Sequence, residues 1–213
     1  MHLKTLIIAF TFLAVSCKEI TTQQDQGASN GPVSFDLVQA KKENLRLKRA
    51  SQLKRHLVKI LGMNSNQLCL ELGTIPCVDV AHKVSLGGLA AYESSQYELP
   101  KESTISAPMA LDRFILSACT TRASLDIINP AQGVIFKNLD ITDDGRITKD
   151  DNYYNSVQRL YNKAFLRDPT QADYQTMEDL YLDIYSSNPL GAGRNWAILS
   201  CYSVLSSLEF IFY

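Results

Sequence analysis

Asp140 to Asp151 reads DITDDGRITKDD, a run dense in side chains that offer oxygen. Calcium is a hard cation that takes six to eight oxygens. A twelve-residue loop supplies them from its positions 1, 3, 5, 7, 9 and 12, with glycine at position 6 for a sharp turn. Counted from Asp140, the ligands are Asp140, Thr142, Asp144, the carbonyl of Arg146, Thr148 (directly or through water) and Asp151, and Gly145 makes the turn. Ile147 falls where such loops place an apolar residue that packs inward. Thr142 is a weaker ligand than Asp or Asn, and Asp151 reaches less far than Glu for two-oxygen binding. The expected affinity is on the order of 10⁻⁴–10⁻³ M, that of extracellular modules. The same letters also read as an Asp-Asp-Gly turn leading into an Asp-capped helix, which needs no ion.

On those positions the stretch resembles the EF-hand loop, and the helix expected after it makes it look like the loop–helix half of a dockerin. The resemblance implies one calcium ion, and no second loop of this kind occurs.

Acid–base chemistry has little to work with. Past the leader the only histidines are His56 and His82. His56 lies among basic residues on a helix and reads as a surface group. His82, near Asp79, is the one candidate base. There is no GxSxG elbow, no HExxH and no glycine-rich phosphate loop, since Gly87-Gly88 and Gly191 to Gly193 are too short. The expectation is therefore a protein that is not an enzyme. The alternative is an envelope hydrolase with its site in the region 63–104.

Five cysteines remain to be placed. Cys17 closes LAVSC, after a charged start at Lys4 and the short apolar run LIIAFTFLAV. That layout is a secretory leader, far shorter than the ~20 apolar residues that span a bilayer. Leu13 to Cys17 resembles a bacterial lipobox, which implies cleavage before Cys17, lipidation of its thiol and anchoring in the cell envelope. Lys18, where inner-membrane retention would more often show Asp, points to the outer membrane. Residues 1–16 are then a signal peptide, 17–32 a lipidated cysteine with a polar tether, and 33–213 a single domain. The expected partners are the membrane, through the lipid anchor, and an envelope protein that the sequence does not identify.

The other four cysteines, in an oxidising compartment, allow three pairings. Cys69 and Cys77 flank a loop-like stretch with Gly73 and Pro76, which favours a local bridge. Cys119 and Cys201 each lie in an apolar helical pattern and could link two packed helices. Buried free thiols are the alternative for that second pair. No CxxC spacing suggests a metal.

The elements that must position these groups are mostly helical. The spacing predicts one helix over Phe35–Leu61, with Leu45, Leu53, Leu57 and Ile60–Leu61 on one face and Gly62 as its stop. A second runs through SAPMALDRFILSACTTRASLDII, with Ser106 as cap and Pro108 in the first turn. Others follow at YYNSVQRLYNKAFL, from Thr170 to about Tyr185 with Asp173 completing a capping box, and at NWAILSCYSVLSSLEFIFY. That last helix is apolar, but its serines and Glu209 make it a buried core helix and not a membrane span. Met63 to Thr104 lacks periodicity and reads as a long irregular connection. The fold class is all-α: about five helices, one long irregular region and room for a few short strands.

Charge is nearly balanced at −1 overall, which gives no general pull toward nucleic acid. It is uneven along the chain: Val33 to Gly62 holds eight Lys and Arg against Asp36 and Glu43. A basic helix face is an attraction for anionic lipid or a partner, or simply a solvated surface.

LRLKRASQLKRHLVKILG, LYNKAFLRDPTQADYQTMEDLY and NWAILSCYSVLSSLEFIFY resemble helical segments of the secreted planctomycete-type domains of unknown function that accompany c-type cytochromes. The chain has no CxxCH, and Cys77 and His82 are spaced wrongly for it, so haem is not implied. The reading is a non-enzymatic binding or structural module at the cell envelope.

Overall fold

Leu53, Leu57, Ile60 and Leu61 share one side of a helix by spacing. In the computed structural model, which describes residues 46–89, 104–142 and 146–212, they are the buried side of α1, Ala50–Leu61. Gly62 ends α1 in the left-handed region, as expected. The start differs from the helix predicted over Phe35–Leu61. Residues 46–49 are not helical: Leu47 bridges to Phe212, the Lys48 N–H donates to the Ile211 carbonyl, and the Ala50 N–H donates to that of Leu86. Pairing with distant backbone draws these residues out of the helix; Phe35 to Leu45 lie outside the described residues.

Next comes a small hairpin, β1 Leu70–Glu71 and β2 Ile75–Pro76, antiparallel. It runs straight into a single π-helical turn, Cys77–Ala81. These are the short strands for which the sequence left room. Leu68 and Cys77 are buried beneath the hairpin and Leu72 stands out in solvent.

The rest is helical. Helix α2, Ala107–Ile128, buries a continuous stripe from Ala107 through Phe114, Ala118 and Arg122 to Asp126. Pro108 sits in its first turn, but the Ser106 side chain does not cap it; the Ser106 hydroxyl bonds Ser85 Oγ at 3.1 Å instead. After a 3₁₀ turn at Pro130–Gln132, Ile135 and Phe136 plug the core. Helix α3, Asp151–Phe165, is capped by Asp150, whose side chain accepts from the Tyr153 N–H. Helix α4, Gln171–Ser187, opens on the predicted capping box: Asp173 N–H to Thr170 Oγ1 at 3.2 Å, Thr170 N–H to Asp173 Oδ2 at 2.8 Å.

Helix α5, Ala192–Leu205, is the centre of the unit, packed against α2, α3 and α4. Its buried face is made largely of Ala192, Gly193, Ala197, Ser200 and Cys201, small residues that let neighbouring helices come close. Trp196, Val204 and Leu205 are the larger exceptions; Trp196 is fully buried and donates its ring N–H to the Met177 carbonyl at 2.9 Å. The continuous helix predicted to Tyr213 breaks at Ser206. Ser207 caps a new four-residue helix, α6, Leu208–Ile211. The break rotates the face, so that Leu208 is 73% exposed while Phe210 is buried.

The architecture is therefore all-α, five long helices and one short one among the described residues, with a two-stranded sheet. No helix among these residues is long and apolar enough to cross a membrane. All lie in one unit, Asn44–Tyr213.

Candidate functional site

The two cysteine pairs are formed. Cys69 bonds Cys77 across the hairpin, with Cα atoms 5.5 Å apart. Cys119 on α2 bonds Cys201 on α5, with Cα atoms 5.7 Å apart and both side chains buried. Cys17 lies outside the described residues, as do the stretches 1–16 and 17–32 expected to form a leader and a tether.

Just above the local bridge sits the one histidine–carboxylate contact among the described residues. His82 Nε2 lies 2.8 Å from Glu71 Oε1. Arg113 of α2 stands 3.7 Å from the same oxygen. The hydrogen bond from His82 holds the Glu71 carboxyl below its ordinary value, and the nearby Arg113 charge adds to this. Both side chains are three-quarters or more covered. The partner is not Asp79, which the sequence suggested; Asp79 is exposed and pairs with Lys54 of α1. Glu71 could not be singled out from its neighbours in the sequence. It faces His82 because the disulfide hairpin folds β1 back over the π turn.

This arrangement could orient an imidazole, the second half of a base–orienter pair. It also ties the hairpin to the π turn and to α2. Two surface grooves among the described residues do not reach it: one of about 420 Å³ lies between the end of α4 and α5, beside Asp183 and Asn195. The other, about 330 Å³, lies beside Ser124, Ile128 and Thr142. His56 is exposed, as expected, and is held below its ordinary value by burial and by the charges of Lys48, Arg55 and Lys59.

The loop Asp140–Asp151 is pinned at both sides by the core. Ile141 and Ile147 are buried, the latter being the residue expected to pack inward, and the Ile147 N–H donates to the Tyr181 hydroxyl at 3.2 Å. Asp140 Oδ1 accepts from the Thr142 hydroxyl at 2.7 Å and its N–H at 3.3 Å. Arg146 stacks over the Tyr185 ring, Thr148 is exposed, and Lys149 pairs with Glu178. Asp151 is the first residue of α3 and exposed, while its neighbour Asp150 does the capping. Asp144 and Gly145 lie outside the described residues. Among the described residues no three His, Cys, Asp or Glu side chains gather as a metal site would require.

The most elaborate polar centre escaped the sequence reading. Asp126, 1% exposed, accepts the backbone N–H groups of Val134, Ile135 and Phe136 at 2.9, 3.1 and 3.0 Å. Arg122, one turn earlier on α2, pairs with it at 2.6 Å and donates to the Leu61 carbonyl at the end of α1. A carboxylate with three amides and a guanidinium is fully satisfied, so this centre locks α1, α2 and the 130–136 turn together. One signal was available: Arg122 and Asp126 continue the apolar stripe of α2, where an isolated charge would be too costly to bury.

Comparison with protein-family models, curated proteins and solved structures returns no match.

Proposed function

We propose that this chain is a lipid-anchored protein of the cell envelope that acts as a non-enzymatic binding or structural module. The observation that carries the reading is the bookkeeping of its thiols. Of five cysteines in the sequence, four form two disulfides, and the fifth is Cys17 of the lipobox-like LAVSC. Disulfides of this kind persist outside the reducing cytosol, the compartment to which a lipobox leader would deliver the chain. Two cross-links and a buried central ion pair suit a rigid body held beside a membrane. Substituting Cys17→Ser tests it: the protein should move from the membrane to the soluble fraction. Unchanged partition, or a mature N-terminus found without acyl groups by mass spectrometry, refutes the anchor.

The reading includes a calcium ion in the loop Asp140–Asp151 as a stabiliser. Its support is Asp140 at the first position, Ile147 buried at the packing position, and α3 leaving the loop. Asp140 and Thr142, the carbonyl of Arg146, Thr148, Asp151 and Asp144 would hold the ion. Calorimetry on wild type and Asp140→Ala decides the matter: no heat from wild type at millimolar calcium removes the ion from the account.

The 2.8 Å contact between His82 and Glu71 favours one second reading, an envelope hydrolase in which Glu71 orients His82 as a base. Under that reading His82→Gln abolishes turnover of a substrate that wild type cleaves while leaving the melting temperature close to wild type. As a structural tie, the same variant lowers the melting temperature and no activity depends on it.

A further inference from the structure

Between Arg46 and Gly62 the chain carries six Lys and Arg and no acidic residue. Folding neutralises few of them. Lys54 meets Asp79, and Lys48 reaches the Phe210 carbonyl and ring, which carry no charge. Arg46, Arg49, Arg55 and Lys59 make no ion pair among the described residues, and all four are exposed. Elsewhere in the unit Arg113, Arg122, Lys149 and Arg167 each meet a carboxylate.

Helical spacing puts Gln52, Arg55, His56 and Lys59 on the side of α1 opposite Leu53, Leu57 and Leu61, with Arg49 at its start. The charges are close enough to act together: the depressed titration of His56 traces in part to Lys48, Arg55 and Lys59 at once. Cations that repel one another on a helix surface weaken the helix slightly, so the arrangement is best satisfied by an external anion.

We infer that the basic face of α1 is a docking surface for a bilayer bearing anionic phosphate headgroups. Charge complementarity selects the partner, since guanidinium forks match phosphate oxygens in pairs. The lipobox-like Cys17 lies about thirty residues before Arg46, so an acyl anchor there keeps α1 within on the order of 100 Å of a membrane even at full extension. In that respect the inference rests on the anchored reading. The contact is electrostatic and not inserted, because the apolar side of α1 is already buried in the core. Its strength therefore depends on ionic strength.

The test uses the full chain carrying Cys17→Ser, so that no acyl chain contributes and failure of the anchor is scored separately. Partition is measured onto phosphatidylcholine vesicles with and without about a third phosphatidylglycerol, at low salt and at about 0.5 M salt. The expected result is binding to the anionic vesicles alone and its loss at high salt. Arg49→Gln, Arg55→Gln and Lys59→Gln should each weaken partition about fivefold, and the triple variant on the order of 100-fold. Circular dichroism and a melt on the triple variant check that it folds; a misfolded triple leaves the single variants to decide. Equal binding to neutral vesicles, or single variants that bind like the parent, overturns the proposal. So does competition by millimolar inorganic phosphate, which would assign the face to a free anion. Displacement by duplex DNA at equal phosphate concentration would reassign it to nucleic acid.

Discussion

Residues 46–89 and residues 104–212 use charge and cross-links in different ways. The first region is assembled from short pieces: a three-turn helix, a two-residue hairpin and a π turn. Its disulfide spans 8 residues, its ion pairs are at least partly exposed, and most cations of α1 face solvent. The second is built of long helices around α5, with a disulfide spanning 82 residues and an ion pair sealed inside. At its far corner Arg167 meets Glu209 through two nitrogens and Asp173 through one, while its guanidinium lies over Tyr161 and Phe165. In one region charge is structural cement; in the other it is left at the surface. The second region matches its buried and corner cations with carboxylates, whereas α1 has a single such pair, Lys54 with Asp79.

The sharpest way to break this contrast is Asp126→Ala. It strands the Arg122 charge and three amides in the interior, and the expected loss is about 3–5 kcal/mol. By contrast Arg113→Gln, which removes an exposed partner of Glu71, should cost under about 1 kcal/mol. Denaturant unfolding of both variants is the check, and equal losses would erase the distinction.

The disulfides come next. On chain entropy alone, losing the Cys119–Cys201 bridge by double Cys→Ala substitution should cost about 4–5 kcal/mol, and losing Cys69–Cys77 about 2–3 kcal/mol. The order matters more than the values. If the local bridge proved the costlier, the hairpin region would be the part that holds the unit together.

How much of this was legible in the sequence follows the range of the interaction. The Thr170–Asp173 box, the Gly62 stop and the buried faces of α1 and α2 are decided within one or two helical turns, and their letters say so. The cysteine pairing was half legible, because loop length favours Cys69–Cys77, whereas Cys119 and Cys201 meet only once α2 and α5 pack. Asp126 was illegible as a site: its partners lie eight to ten residues downstream, and they are backbone amides that carry no letter of their own. Glu71 lost to Asp79 as the partner of His82 because proximity in sequence is a poor guide across a turn. The Ser206–Ser207 break was hidden for a related reason, since serine fits both a helix interior and a cap.

Glu71 gives a smaller, pH-dependent prediction. Its folded value lies below the ordinary carboxylate value, first through the His82 hydrogen bond. A depressed carboxylate contributes stability above its unfolded value, about 4.3, and that contribution fades as pH falls through the folded value. Glu71→Gln should therefore unfold with a flatter acid limb below about pH 4.5 than wild type. Acid titration followed by circular dichroism tests this, and superimposable limbs would mean the pair contributes nothing to folding.

The smallest expected effect is at His56, and it probes the field of α1 directly. Its folded value is lowered, mainly by burial and then by Lys48, Arg55 and Lys59. The unfolded chain thus binds this proton more readily, so wild type loses stability as pH falls through about 6.5 toward the folded value. His56→Gln removes the titrating group and escapes that loss. Relative to wild type, the variant should gain stability between about pH 7.5 and pH 5, read from urea midpoints at the two values. Arg55→Gln in the His56 background should raise the histidine's midpoint toward its ordinary value, followed by proton NMR. A midpoint that ignores Arg55 would mean the cations of α1 do not act as one surface, and the contrast between the two regions would then shrink to their cross-links.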